Sequence, residues 1–176
     1  MSRSIFARLA ALVLLPLATT LGACSDDPVS QTLPPEARID TTTFAPALGI
    51  ALGDFTTTAS GLYYKDLLIG GGDSTASAGD ALLVHYIGWL PNGTIFDQTS
   101  PDAAPFAFTL GTGGVIAGWD EGLVGMRVGG RRMLIIPPSL GYGYQAQGRK
   151  IPANSVLVFR VDLYQANGKA TTTTTP

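Results

Sequence analysis

At 176 residues, with 11 basic and 13 acidic side chains, a net charge of −2 and a pI near 5.2, the chain can bury a core without a covalent staple. That balance leaves no basic face for a nucleic-acid backbone. One cysteine, Cys24, allows no internal disulfide, and one histidine, His85, argues against a histidine-built metal site and for a structural residue on a strand.

The first 23 residues read as an address. Arg3 and Arg8 precede Leu9 to Ala23, an uncharged and largely apolar stretch. It falls short of the roughly 20 residues a spanning helix needs and fits the apolar core of a signal peptide. It ends in Leu21-Gly22-Ala23-Cys24, which resembles a bacterial lipobox, so Cys24 is the expected lipidation site. Two or more acyl chains on one residue would anchor stably, at ~0.8 kcal/mol per buried methylene. Residues 24–56 are then expected to form a flexible tether and an N-terminal arm. Ser25 to about Ala45 is rich in Ser, Asp, Thr and Pro and reads as disordered. Phe44 to Phe55 is mildly apolar and Gly-interrupted, a loose strand or a packing arm. The last residues, 168–176, are low-complexity and read as a disordered tail.

Residues 57–167 carry the periodic sequence. Leu62 to Leu68 reads as a strand closed by Gly70-Gly71-Gly72, and Ala81 to Leu90 as a second. Pro91-Asn92-Gly93 is turn chemistry that sends Thr94 to Asp97 back antiparallel. Phe106 to Leu110 follows as a strand entered through Pro105. Gly118 to Val124 is the one plausible helix, with Trp119, Leu123 and Met126 on one face and Asp120 and Glu121 in the first turn. Arg131 to Ile136 is a strand, Ser139 to Ser155 a long loop, and Val156 to Leu163 the closing strand. The expected fold is α+β: an antiparallel sheet of five to six strands wrapped around one short helix.

Four stretches bring rings and one carboxylate toward a common point: Val84-His85-Tyr86, Ile95-Phe96-Asp97, Val115 to Trp119 and Leu157-Val158-Phe159. Gly141-Tyr142-Gly143 joins them from the long loop. Alone, Trp119, Tyr86 and Phe159 are ordinary core residues and Asp97 a turn cap. Together, with no metal triad and no nucleophile elbow, they read as a dry aromatic pocket suited to an apolar ring such as proline.

In this order the pieces resemble an FKBP-type peptidyl-prolyl cis–trans isomerase domain, from about Gly61 to Leu163. The resemblance rests on Gly79-Asp80, Val84 to Gly88, Gly93 to Asp97, Pro105 to Phe108, Val115 to Leu123, Met126 to Gly130, Tyr142-Gly143, Ile151-Pro152 and Leu157 to Phe159. It implies the FKBP fold, with Trp119 as the pocket floor and Tyr86, Phe96 and Phe159 as walls. It further implies Asp97 as the carboxylate, Tyr142 over the entrance, Phe106, Val115 and Ile116 at the rim, and Ile151 in the overhanging loop. Ile116 also offers a backbone N–H. It implies proline-containing polypeptides as substrates, macrolides such as tacrolimus or rapamycin as inhibitors, no cofactor and no metal. With the lipobox, the expected location is extracytoplasmic and membrane-anchored. The sequence departs from the family at Gln98 to Ala104, which holds no arginine or lysine to partner Asp97 and has Asp102 instead, and at Gln145 to Lys150. A module that holds a partner without turnover, and a purely structural lipoprotein, are the rival readings.

Overall fold

Period-two alternation decides the architecture. A computed structural model describes residues 36–100, 102–166 and 169–170, and in it eight antiparallel strands form one sheet. They are β1 (Thr56–Thr57), β2 (Tyr63–Leu68), β3 (Ala81–Trp89), β4 (Ile95–Gln98), β5 (Phe106–Thr109), β6 (Arg131–Ile136), β7 (Leu157–Ala166) and β8 (Lys169–Ala170). Their order is β1-β2-β6-β7-β3-β4, with β5 also paired to β3 and β8 to β7. Six of these are the expected strands; β1 and β8 are two-residue additions at the margins.

β7 is the spine, flanked by β6 and β3, with Leu134↔Phe159 on one side and Tyr86↔Val161 on the other. Its residues Leu157, Phe159, Val161 and Leu163 join Leu62, Val84, Trp119, Leu123, Met126 and Leu134 in one buried cluster. Val158, pointing the other way, joins Ile39, Ile135 and Val156 in a second. The sheet therefore has two apolar faces, each with its own cover.

The first cover is α1 (Ala117–Gly122), shorter than the span from Gly118 to Val124 that the periodicity suggests. Glycine sets its seat. A Cβ on Gly118 would lie 2.5 Å from Ile136 Cγ2, and one on Gly122 would lie 2.8 Å from Leu134 Cδ2, so the bare backbone rests on β6. Trp119, Leu123 and Met126 are buried as expected. Arg132, only 6% exposed, satisfies the C-terminal carbonyls by donating to Gly122 O (2.8 Å) and Val124 O (3.1 Å). The same guanidinium pairs bidentately with Asp66 at 2.7 and 3.0 Å. The acidic residues of the helix do more than face its dipole. Asp120 accepts the N–H groups of Gly111 (2.7 Å) and Gly113 (2.9 Å), and Glu121 accepts the Ser60 hydroxyl.

The second cover is the N-terminal arm, three 3-10 turns at Ile39–Thr41, Pro46–Leu48 and Leu52–Asp54. Here the expected tether is corrected: packing begins by Ile39, 4% exposed, well before Ala45. Phe44, Leu48, Ile50, Leu52 and Phe55 of the arm, with Tyr63, Trp89 and Met133 of the sheet, pack against the buried Ile39, Ile135, Val156 and Val158, supplying apolar partners that composition alone conceals. Lys65 of β2 closes the arm's end on Asp54 at 2.9 Å. Cys24, the signal segment, the tether up to residue 35 and the tail after residue 170 lie outside the described residues. No helix among the described residues is long and apolar enough to cross a membrane.

Candidate functional site

Ten residues line a cleft of about 260 Å³ on the α1 face: Tyr86, Phe96, Asp97, Phe106, Gly114, Val115, Ile116, Trp119, Tyr142 and Phe159. Strands supply half of them. Tyr86 comes from β3, Phe96 and Asp97 from β4, Phe106 from β5 and Phe159 from β7, while α1 and its lead-in bring residues 114–116 and Trp119. Tyr142 arrives on the loop after β6.

The rings brace one another edge to face. Trp119 meets Tyr86 at 5.1 Å and 82° and Phe159 at 5.3 Å and 81°, and Phe96 meets Phe159 at 5.4 Å and 87°. Such pairs add about 0.5–1.5 kcal/mol each beyond burial and fix ring orientation. Gly88 makes the arrangement possible: a Cβ there would stand 2.6 Å from Phe96 Cζ and 2.9 Å from Phe159 Cε1. Trp119, Phe96 and Phe159 are buried, whereas Phe106 and Tyr142 are exposed at the mouth.

The polar groups are few. Tyr86 donates its hydroxyl to Asp97 Oδ2 at 2.6 Å, and the Gln98 N–H donates to Oδ1 at 2.9 Å. Among the described residues no cation pairs with Asp97, as the lysine- and arginine-free segment after β4 foretells. Burial, then the bond to Asp97 and its charge, push the Tyr86 phenol well above its ordinary value. Burial and the same carboxylate raise Tyr142. Both stay neutral donors through the physiological range. The Tyr142 hydroxyl and the Ile116 N–H have no partner among the described residues, and the buried Trp119 Nε1 has none either. An entering ligand therefore meets apolar walls, one carboxylate and open donors. Among the described residues no three His, Cys, Asp or Glu side chains stand close enough to hold a metal ion.

Nine of the ten lining residues are those the sequence singles out. Of the pocket residues the sequence names, Ile151 is the one absent from the lining. It is 5% exposed and belongs to the buried core rather than the cleft lining, and its carbonyl accepts the Gln147 N–H at 2.9 Å. Gly114 lines the cleft unannounced, since a glycine gives no ring to read. Phe108 escapes the sequence reading too; it buttresses Trp119 at 5.5 Å, and its two-residue spacing from Phe106 was the available signal. His85 is structural as expected. Its Nδ1 bonds Thr99 Oγ1 at 2.9 Å, and its ring meets Tyr164 at 5.0 Å and 82°.

Comparison with known proteins adds three findings. The family model described as FKBP-type peptidyl-prolyl cis-trans isomerase matches residues 72–164, a span that holds all ten lining residues and leaves out the arm. An FK506-binding protein of Neisseria meningitidis serogroup B is 48% identical over 103 residues, 58% of this chain and 94% of its own. FK506-binding protein 2 of Dictyostelium discoideum is 54% identical over 90 residues, 51% of this chain and 68% of its own. Among solved structures, AtFKBP13 aligns with a TM-score of 0.58 at 38% identity, covering 66% of this chain and 98% of its own. FkpA from Escherichia coli aligns with a TM-score of 0.58 at 38% identity, covering 64% of this chain and 51% of its own.

Proposed function

The chain belongs to the FKBP-type peptidyl-prolyl cis-trans isomerase family, and from that membership we propose that it accelerates X–Pro isomerisation in unfolded or partly folded proteins outside the cytoplasm, non-covalently, within the aromatic cleft. The observation that carries the reading is the edge-to-face cage of Trp119, Tyr86, Phe96 and Phe159 with Asp97 at its side.

Rotation about an X–Pro bond crosses a barrier of ~18–20 kcal/mol because it breaks amide resonance, and unaided exchange takes roughly tens to hundreds of seconds. The twisted amide is less dipolar than the planar one, so a water-poor ring cage favours it over the ground state. The proline ring sits on Trp119 between Tyr86, Phe96 and Phe159. Tyr142 and the Ile116 N–H orient substrate carbonyls, each worth about 1 kcal/mol. Asp97 holds Tyr86 in place and is, among the described residues, the only carboxylate lining the cleft. Phe106 and Val115 shape the mouth. Macrolides such as tacrolimus compete for the same walls.

The address is also a proposal. Cys24 takes the lipid on its thiol, and the domain works tethered to a membrane on its extracytoplasmic side. In metabolic labelling with a fatty acid, Cys24→Ala is expected to lose the label; label retained by that variant removes the anchor from the reading. The activity is tested by a protease-coupled isomerisation assay on the chain from Ser25 onward, with and without tacrolimus. Turnover abolished by the macrolide supports it. Tight macrolide binding without turnover supports a holding module instead.

A further inference from the structure

The family match begins at residue 72, yet the arm that precedes it touches the turn leading into one of the pocket's edge strands. β4 lies at the sheet's edge and pairs with β3 alone, and the register shifts between Gly88↔Asp97 and Trp89↔Ile95, which leaves Phe96 without a partner opposite it. It carries Phe96 and Asp97. A strand held on one side, by four residues, needs support at its turn to keep a ring within 5.4 Å of Phe159 and a carboxylate 2.6 Å from Tyr86. Inside the turn, the Leu90 N–H donates to Thr94 O, the Gly93 N–H to Leu90 O and the Thr94 N–H to Asn92 Oδ1. From outside it, among the described residues, one hydrogen bond reaches residues 90–94: the Ala45 N–H donates to Pro91 O at 2.8 Å. The Ala45 methyl also stands against Gly93, 3.3 Å from where a Cβ would be, and Trp89 at the root of the turn packs into the arm's own cluster.

We infer that Ala45 is a positioning residue for the isomerase pocket: its N–H, backed by the arm's apolar packing, clamps the β3–β4 turn and so holds Phe96 and Asp97 in place. The inference rests on the isomerase reading of the cleft. The arm acts through the hairpin and touches no substrate. Loosening it lets β4 lift from Tyr86 and Phe159 while leaving the β7 spine, α1 and Trp119 as they are.

Ala45→Pro in the full chain is the test. Ala45 already has φ −60° and ψ 135°, which proline adopts, and the change replaces the donated N–H with a methylene aimed at Pro91 O. Ala45→Ser keeps the N–H and serves as the conservative control. The expected result is a kcat/KM about fivefold lower in Ala45→Pro, which is roughly 1 kcal/mol at ~1.4 kcal/mol per tenfold, and wild-type turnover in Ala45→Ser. The thermal midpoint of Ala45→Pro should stay within a few degrees of wild type. Ultraviolet titration should also show one tyrosine of Ala45→Pro ionising at lower pH than in wild type, because Tyr86 has lost its hold on Asp97. A merely structural role for Ala45 would move the midpoint and leave that titration unchanged.

Wild-type turnover and titration in Ala45→Pro overturn the inference, and so does an equal loss in Ala45→Ser. If Ala45→Pro does not melt cooperatively, Phe44→Ala takes its place, since it removes a ring from the same turn of the arm and alters no strand. It is expected to slow turnover and shift the same tyrosine; unchanged values there overturn the inference. An inactive wild type is a separate outcome: it defeats the isomerase reading on which the clamp depends.

Discussion

The two coverings of the sheet differ in kind. On the α1 side ring meets ring: among the described residues every aromatic pair except His85–Tyr164 includes a ring that lines the cleft. On the arm side Phe44, Phe55, Tyr63 and Trp89 pack among Ile39, Leu48, Ile50, Ile135 and Val158. Edge-to-face rings are directional and hold a cavity open, whereas rings among aliphatic chains fill space and close it. The chain has two tryptophans, one on each side. Apolar burial alone therefore does not mark the working face; the neighbours of each tryptophan do.

The contrast can be broken most severely at Phe96. Phe96→Ala removes an edge partner of Phe159 and should cost ~3–5 kcal/mol of stability. At ~1.4 kcal/mol per tenfold, a pocket-wide loss of ~3 kcal/mol would lower turnover on the order of a hundredfold in the coupled assay. Removing the arm acts on the other face. The fragment from Thr57 to Asn167 should still melt cooperatively but at a lower temperature, because Ile135 and Val158, both 0% exposed, lose their cover. Absence of a cooperative transition by calorimetry would make the arm integral to the fold. Gly88→Ala should cost about 1–3 kcal/mol by overpacking against Phe96 and Phe159, and turnover should fall with it. Tyr142→Phe deletes one donor at the mouth and should slow turnover only several-fold, about 1 kcal/mol, with the melting temperature unchanged.

The smallest effect concerns pH. Tyr86 and Tyr142 both have folded values above the ordinary ~10 of a free phenol, so the folded state binds the extra protons. Their contribution is fully present below pH ~10 and is lost as pH rises above it toward the folded values. Melting temperature should therefore fall above pH ~10, and Tyr86→Phe should flatten that fall. An unchanged slope would remove Tyr86 from the account.

The cleft was legible because its residues sit inside motifs that follow one another in order along the chain. Ile151 was not, because the direction of a loop residue depends on how the loop closes, and the bridge to Gln147 is invisible in composition. The arm was half legible. Met133-Leu134-Ile135-Ile136 is a continuous apolar run, and a strand apolar on both faces requires two covers. Nothing in the Ser- and Thr-rich stretch before Ala45 said that Ile39 would supply part of the second. Arg132 gave a signal too: a basic residue at the parity of Leu134 must meet an acid and open carbonyls, as it does at Asp66, Gly122 and Val124.

β7 sets where this chain can change length. Leu157, Phe159, Val161 and Leu163 face the α1 interior, whereas Val156 and Val158 face the arm. Adding or deleting one residue there would exchange them at a stroke, turning Phe159 toward the arm and Val158 toward Trp119. Residues 145–150, all exposed, face no such bookkeeping, and each doubling of a loop's length costs only about 0.6 kcal/mol. Insertions and deletions should therefore accumulate in that loop and be absent from the spine, so a change of rim length can be selected without disturbing either core.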